Sequence, residues 1–266
     1  TEDNFRSALD IVVTNVLNKT SAQVNILDAY GNPRETDVVF SIIENRTGKT
    51  VRNYVQTLNH KGVPDTINID PLKVYDLLVH TVPPKRTDSI VLQSGIHNYL
   101  PAEAATGYLR IKEKGKGRFF TTNVSCLIRQ HGKNEILTVQ DLGQTERYRT
   151  GVYDIEVLVS PRFNIENVVL SQNHTTIVEV PSPGYAAIKY NAGGKGALFQ
   201  MQGNNMIWIK NIDVKNPDTE LYPLMPGYYK IVWRSVYAHR ILFTFERDFE
   251  VRSGLTTGIE AQFGGR

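Results

Sequence analysis

Three stretches of this chain are written to one template: KVYDLLVHTVPP (73–84), GVYDIEVLVSPR (151–162) and GYYKIVWRSVYA (227–238). Each sets a tyrosine (Tyr75, Tyr153, Tyr229) at the head of an alternating apolar run, and the tyrosines stand 78 and 76 residues apart. A fixed period constrains the fold more than composition does, because each copy must be one structural unit. Leu92 and Leu170, in SIVLQSG (89–95) and NVVLSQN (167–173), each follow their tyrosine by 17 residues. DFEVRSG (248–254) holds the matching place in the third copy about five residues late, so a longer hairpin is expected there.

The copies also begin alike. VNILDAYGNPRETDVVFSI (24–42), GYLRIKEKGKGRFFTTNV (107–124) and GYAAIKYNAGGKGALFQM (184–201) each read as a strand, a polar glycine-containing turn and a second strand. Ile26, Ile111 and Ile188 end the first strands; Phe40, Phe119 or Phe120, and Phe199 lie in the second. KYNAGGKGALFQM (189–201) has the composition of a phosphate cradle, where bare N–H groups and a lysine meet an anion. The other copies fill that place with DAYGNPRE and KEKGKGR, and no Gly-Lys-Ser/Thr ending is present. The reading is a hairpin turn in which glycine serves positive φ.

Tyr153, Ile155, Val157 and Val159 alternate with Asp154, Glu156 and Leu158, a period of two. Such runs, broken by Gly, Pro and Asn turns, argue antiparallel sandwiches with six or seven short strands per copy. The expectation is an all-β chain of three tandem small antiparallel β-sandwich domains with a short N-terminal helix. Residues 1–21 form the helix or linker, and 22–100, 101–180 and 181–266 the three repeats. Phe5, Leu9, Val12, Val13 and Val16 fall at helical spacing behind Asp3 or Asn4 as cap. IVVTNVL, rich in β-branched residues, also fits a strand; the helix is favoured.

The chain has 266 residues, a net charge of +3 and one cysteine, Cys126. That balance is too mild for a nucleic-acid-binding field, and one cysteine excludes an internal disulfide and a Cys-based zinc site. Cys126, in NVSCLI, reads as a core residue, and no apolar run is long enough for a membrane-spanning helix. The histidines (His60, His80, His97, His131, His174, His239) show no ligand spacing and read as surface residues, His97 and His174 at equivalent turns. No G-x-S-x-G elbow occurs, Glu246 and Asp248 read as solvated charge, and RIKEKGKGR (110–118) as a charged edge. No catalytic residue, metal ligand or cofactor is assigned. Aromatics are dense in the third copy: Trp208, Tyr222, Tyr228, Trp233, Tyr237 and Phe243. Trp208 and Trp233 read first as core plugs; Trp208, Tyr222, Tyr228, Trp233 and Tyr237 are also the candidate interaction surface, for a protein or a sugar.

The unit resembles the PEGA and carboxypeptidase-regulatory (transthyretin-like) group of small sandwiches. The resemblance is carried by the turn at Leu27, Asp28, Gly31, Asn32 and Pro33 and the strand entry at Met225, Pro226, Gly227, Tyr228 and Tyr229. T-G-V-Y (150–153) lacks the proline, and L-K-V-Y (72–75) lacks both proline and glycine. The arrangement is also similar to the region following a von Willebrand factor A domain in Bacteroidota envelope proteins. That likeness implies an extracytoplasmic location, at the cell surface or in the periplasm, and a segment 1–21 leading from an upstream A domain. The Asp-x-Ser-x-Ser metal motif of A domains is absent, so no metal ligand is carried over. It further implies O-glycosylation at Thr66 and Ser89, in Asp65-Thr66-Ile67 and Asp88-Ser89-Ile90. The Asn-x-Ser/Thr sequons at Asn18, Asn45, Asn123 and Asn173 are read as chance.

The function expected is a non-enzymatic rod of tandem sandwiches that scaffolds, adheres or docks an envelope protein. A carbohydrate-binding module using the third copy's aromatics, with polysaccharide as ligand, is the alternative.

Overall fold

The computed structural model describes residues 2–115 and 124–262, with side chains placed for all of these but 15–18. Phe119, Phe120, Val16 and much of the basic run at 110–118 therefore lie outside the described residues or side chains. One helix, Glu2–Lys19 (α1), opens on Glu2 and Asp3 and closes on Lys19, charges that suit the helix dipole. Its Phe5, Leu9, Val12 and Val13 are all exposed.

Twenty-one described strands follow, seven to a repeat. The first seven are Ser21–Leu27 (β1), Val39–Glu44 (β2), Thr50–Val55 (β3), Thr66–Asn68 (β4), Val74–Val79 (β5), Lys85–Val91 (β6) and His97–Glu103 (β7). The next are Thr106–Glu113 (β8), Ser125–Gln130 (β9), Ile136–Asp141 (β10), Thr145–Arg149 (β11), Gly151–Val157 (β12), Phe163–Leu170 (β13) and Thr175–Val180 (β14). The last are Gly184–Tyr190 (β15), Gly194–Gln202 (β16), Asn205–Val214 (β17), Asp218–Leu224 (β18), Gly227–Ser235 (β19), Phe245–Val251 (β20) and Thr256–Ala261 (β21).

They form six sheets in three pairs, each a three-stranded sheet with a four-stranded one. The orders are β4-β1-β7 with β3-β2-β5-β6, β11-β8-β14 with β10-β9-β12-β13, and β18-β15-β21 with β17-β16-β19-β20. Contacts cluster into two compact units that cut through the second repeat, Thr1–Leu109 with Thr145–Tyr153 and Val169–Thr176, and the remainder. In the first unit Val24, Ile26, Phe40, Ile42, Tyr75, Leu77, Val79 and Leu100 make one apolar core. In the second, Ile188, Tyr190, Leu198, Tyr229, Ile231, Trp233 and Phe249 make another. Each such buried side chain contributes about 1.5–3 kcal/mol relative to exposure. Cys126 is buried, which pushes its thiol up to about 11, as expected of a core residue.

Two expectations are corrected. The glycine-bearing segments are not hairpins: β1 and β2, β8 and β9, and β15 and β16 lie in different sheets, so each segment crosses between layers. Positive φ is also only part of the glycine requirement. Gly31 (φ +80°) and Gly115 (φ +104°) need it, but in the third copy the need is for space. A Cβ on Gly194 would lie 2.6 Å from the Trp233 ring, and one on Gly196 2.1 Å from the Val232 carbonyl oxygen. Gly194 clears room for the indole that fills the third core, and Gly196 for the close approach of the β19 backbone. Within these sandwiches β1 runs parallel to β7, and β15 to β21, so the start of a repeat is bonded to its end.

The repeated tyrosines are corners. Tyr75 donates its hydroxyl to the Asp70 carbonyl (2.9 Å), Tyr153 to that of Arg149 (2.6 Å) and Tyr229 to that of Met225 (2.5 Å). All three rings are buried, and burial pushes the Tyr75 and Tyr153 hydroxyls up to about 12 and that of Tyr229 higher. This is the geometry of the tyrosine corner of immunoglobulin-type sandwiches. In the second and third copies the accepting residue is held at both ends. The Arg149 N–H donates to the Val82 carbonyl of the first repeat (2.8 Å), and the Met225 N–H to the Ser160 carbonyl of the second (3.0 Å). Val82 and Ser160 each lie seven residues after their tyrosine, so one bond is made twice at equivalent positions.

A buried carboxylate fixes the long β1–β2 connection in the first unit. Glu35, 3% exposed, accepts from the Thr106 N–H (3.2 Å), Thr106 Oγ1 (2.7 Å), Arg147 Nη2 (3.0 Å) and Gln172 Nε2 (3.2 Å). Arg147 also donates to Thr106 Oγ1 (2.7 Å) and to the Thr36 carbonyl (2.9 Å). Both carboxylate oxygens are thus fully engaged, so the cluster holds structure and offers no open valence for chemistry.

Two outcomes are expected in urea unfolding. Tyr229→Phe removes one buried hydrogen bond and leaves a carbonyl unpaired, costing about 1–3 kcal/mol, while Tyr228→Phe on the exposed face is neutral. Arg147→Met strands the Glu35 charge at a cost of about 3–5 kcal/mol, and adding Glu35→Met recovers much of it. A Tyr229→Phe protein as stable as the parent contradicts the corner; a double variant no better than Arg147→Met contradicts the ion pair.

Candidate docking surface on the third repeat

The four-stranded sheet of the third repeat has one face in the core and one in solvent. Its inner face carries Leu198, Tyr229, Ile231, Trp233, Phe249 and Val251. Because side chains alternate, Tyr228, Lys230, Val232 and Arg234 of β19 point outward. Register then builds the outer surface strand by strand. Phe199 of β16 lies opposite Lys230 on one side and Trp208 of β17 on the other; Met201 lies opposite Met206, and Tyr228 opposite Glu250 of β20.

The result is an apolar, aromatic surface of Phe199, Met201, Met206, Trp208 and Tyr228. Trp208 is 57% exposed and Tyr228 65%, while Phe199 and Met201 are half-buried beneath them. The Trp208 indole N–H donates to Asn211 Oδ1 (3.0 Å), which fixes the ring. A register shift at Leu198/Phe199 separates this end of the β16–β17 pair from the part that covers the core. Beyond the shift β17 outreaches the sandwich, and Met206, Ile207 and Trp208 are exposed on both its faces. β17 is also the sheet's edge, so among the described residues one side of its backbone is paired with no strand.

Carboxylates rim the other side. Lys230 Nζ lies 2.5 Å from Glu246 Oε1 and 3.3 Å from Asp248 Oδ1, and the bond to Glu246 foremost raises its pKa. This is a reversal of the other repeats, where the residue after the corner tyrosine is an acid. Asp76 accepts from the Ser89 N–H (2.9 Å), Asn45 Nδ2 (2.8 Å) and Arg86 Nη2 (2.7 Å). Asp154 accepts from the Asn167 N–H (3.0 Å), Gly132 N–H (3.3 Å) and His131 Nδ1 (2.9 Å). Ser89 and Asn167 both take positive φ to make those bonds, at 58° and 60°. These contacts lower the pKa of Asp76, the Ser89 N–H leading; at Asp154 burial opposes ionisation, and the hydrogen bonds, His131 first, outweigh it.

The structure separates the five aromatics singled out in the sequence. Trp208 and Tyr228 share the outer face. Trp233, 1% exposed, is the core plug, its ring centroid 5.6 Å from that of Tyr190; among the described residues its Nε1 has no acceptor. Tyr222 is also buried, bonded to Tyr190 (3.2 Å) and Glu220, and burial drives its hydroxyl pKa far up. Neither can present a surface, so both leave the interaction set. Trp208 is likewise corrected, from core to surface. Tyr237 is exposed but lies in the turn beyond the far end of β19, whose span from Tyr228 to Ser235 is about 23 Å at the rise of a strand. Thr66 and Ser89 are both exposed, Thr66 on edge strand β4 and Ser89 at the turn of backbone over Asp76. Met201 and Met206 went unremarked in the sequence, and Phe199 was read only as a residue of the second strand; the signal was the length of β17, ten residues.

Among the described residues no group of three or more His, Cys, Asp or Glu could hold a metal ion. A cleft of about 500 Å³ in the first unit is lined by Asp28, Lys85, Glu103, Arg149 and Thr150, without histidine or cysteine. Asp28 is committed to its own turn: burial opposes its charge, but the N–H groups of Asn32 and Tyr30 (2.8 Å each) outweigh it and lower its pKa. No helix among the described residues is long and apolar enough to cross a membrane.

No protein-family model matches this chain, and no curated protein matches it. Among solved structures it is similar to the Bacillus anthracis TIE protein, at 13% identity and a TM-score of 0.28 over 91% of this chain. It spans half the length of that chain. It is also similar to a streptococcal ancillary pilin (6% identity, TM-score 0.31, 91% of this chain and 98% of that one). A third is the major pilin SpaD of Corynebacterium diphtheriae (11% identity, TM-score 0.24, 93% and 97%). Scores this low do not establish a shared fold.

Proposed function

We propose that this chain is a non-enzymatic scaffold of tandem β-sandwiches from an exported bacterial envelope protein, and that its third repeat docks a protein partner. The observation that carries the reading is the solvent-facing surface of Phe199, Met201, Met206, Trp208 and Tyr228, in register across three strands beside an open sheet edge. Aromatic and methionine side chains on a rigid sheet are the residues that dominate protein interfaces. The unpaired backbone of β17 adds a second means of attachment, by strand addition. Membership of the PEGA and transthyretin-like group, and a place after a von Willebrand factor A domain, belong to this proposal.

The test is affinity capture from envelope extracts with the parent chain and with Trp208→Ala/Tyr228→Ala, followed by titration of the captured protein. Both residues are exposed, so thermal unfolding is expected to change little, within about 0.5 kcal/mol. Binding is expected to fall at least about tenfold, the loss typical of an interface hot spot. Unchanged binding removes the patch from the account. Retention on polysaccharide with no protein captured replaces docking with the carbohydrate reading.

A further inference from the structure

The connection between β19 and β20 is longer in the third repeat than in the others, and nothing in the docking surface uses it. It reads VYAHRILFT (236–244), follows Arg234 near the end of β19, and carries His239 and Arg240 with no acidic residue. Its tip is a single turn, Ile241–Phe243, that buries none of its own residues. Ile241 is 79% exposed and Leu242 84%, and Val236 and Tyr237 are exposed below them. The turn is nevertheless built. Phe243 N–H donates to the Arg240 carbonyl (3.1 Å), and Thr244 donates to the Ile241 carbonyl through both N–H (3.1 Å) and Oγ1 (2.7 Å). At the base Val236 N–H donates to the Gly193 carbonyl (2.9 Å), Tyr237 N–H to Ser235 Oγ (3.2 Å), and Ala238 is buried. Two branched aliphatic side chains are thus held outward by local bonds, with no core beneath them.

We infer that this loop seats the third repeat on an anionic lipid surface, with Ile241 and Leu242 entering the headgroup boundary. Charge and area select that occupant. Arg240 in the loop and Arg234 near the end of β19 offer positive charge, with no acidic residue in the loop, the complement of an acidic leaflet. Asp213 of β17 is paired with Lys195 (3.6 Å) and Glu246 of β20 with Lys230 (2.5 Å), so neither cancels it. The apolar turn is three residues wide, Ile241, Leu242 and Phe243, far short of the roughly 800 Å² per partner that a stable protein interface needs. A bilayer demands no such area: aliphatic groups inserted a short way, an aromatic at the interface and a basic group at the phosphates suffice. Ile241 and Leu242, Tyr237, and Arg240 supply these in turn.

The test is cosedimentation of the full chain with vesicles of phosphatidylglycerol mixed with phosphatidylcholine, and with vesicles of phosphatidylcholine alone. Binding to the anionic vesicles is expected, weakening with salt and falling about tenfold or more with Ile241→Ser/Leu242→Ser and, separately, with Arg240→Glu. The three side chains are exposed, so thermal unfolding of the variants serves as the folding control. Absence of binding to anionic vesicles, or binding indifferent to both variants, overturns the assignment. Self-association lost in the tip variant, without vesicle binding, overturns it in favour of a second copy. Trp208→Ala/Tyr228→Ala is expected to leave vesicle binding unchanged, so this assignment and the docking surface fail independently.

Discussion

The structure depends on one residue in the corner of the second and of the third repeat being bonded twice. A buried tyrosine hydroxyl cannot go unpaired without a cost of about 1–3 kcal/mol, so it seeks a carbonyl, and the nearest is in the turn it has just left. In the second and third repeats that same residue, Arg149 or Met225, gives its N–H to the preceding repeat. The tyrosine therefore fixes a turn, and the turn presents a donor to the carbonyl of Val82 or Ser160. The recurring tyrosine is a device for linking repeats as well as for closing each one. In the first repeat, Tyr75 bonds the Asp70 carbonyl and keeps only the closing role.

The third repeat shows how function can enter a repeated frame. Its neighbours place a carboxylate after the corner tyrosine and satisfy it with backbone N–H groups from the adjacent strand. Here Lys230 takes that place and the acids move across to Glu246 and Asp248. The exchange leaves an outward lysine beneath a rim of acids, next to Phe199, Trp208 and Tyr228. The core is specialised separately: Gly194 leaves the space that the Trp233 ring takes, and Gly196 lets the β19 backbone approach.

What the sequence made legible was whatever is local or periodic. The tyrosine spacing, the alternation through Tyr153, Ile155 and Val157, and the helix at the N-terminus needed nothing beyond near neighbours and period. The sheet crossing at the glycine segments was not visible, because a strand–turn–strand pattern reads the same whether the strands pair or face each other. The placement of Trp208 and Trp233 was equally hidden. Both sit in apolar strands, and only the register shift at Leu198/Phe199 shows that β17 runs past its core while β19 does not. The Glu35 cluster joins residues more than 70 positions apart, and no local pattern announces it.

The most direct measurement is hydrogen exchange at the backbone amides of Arg149 and Met225, resolved by NMR under native conditions. Both residues lie at corners where loop-like exchange would otherwise be expected. If each is clamped between its tyrosine and the preceding repeat, both amides exchange only with global unfolding, and Tyr153→Phe and Tyr229→Phe accelerate them selectively. Exchange at the rate of exposed turns in the parent protein would contradict the account.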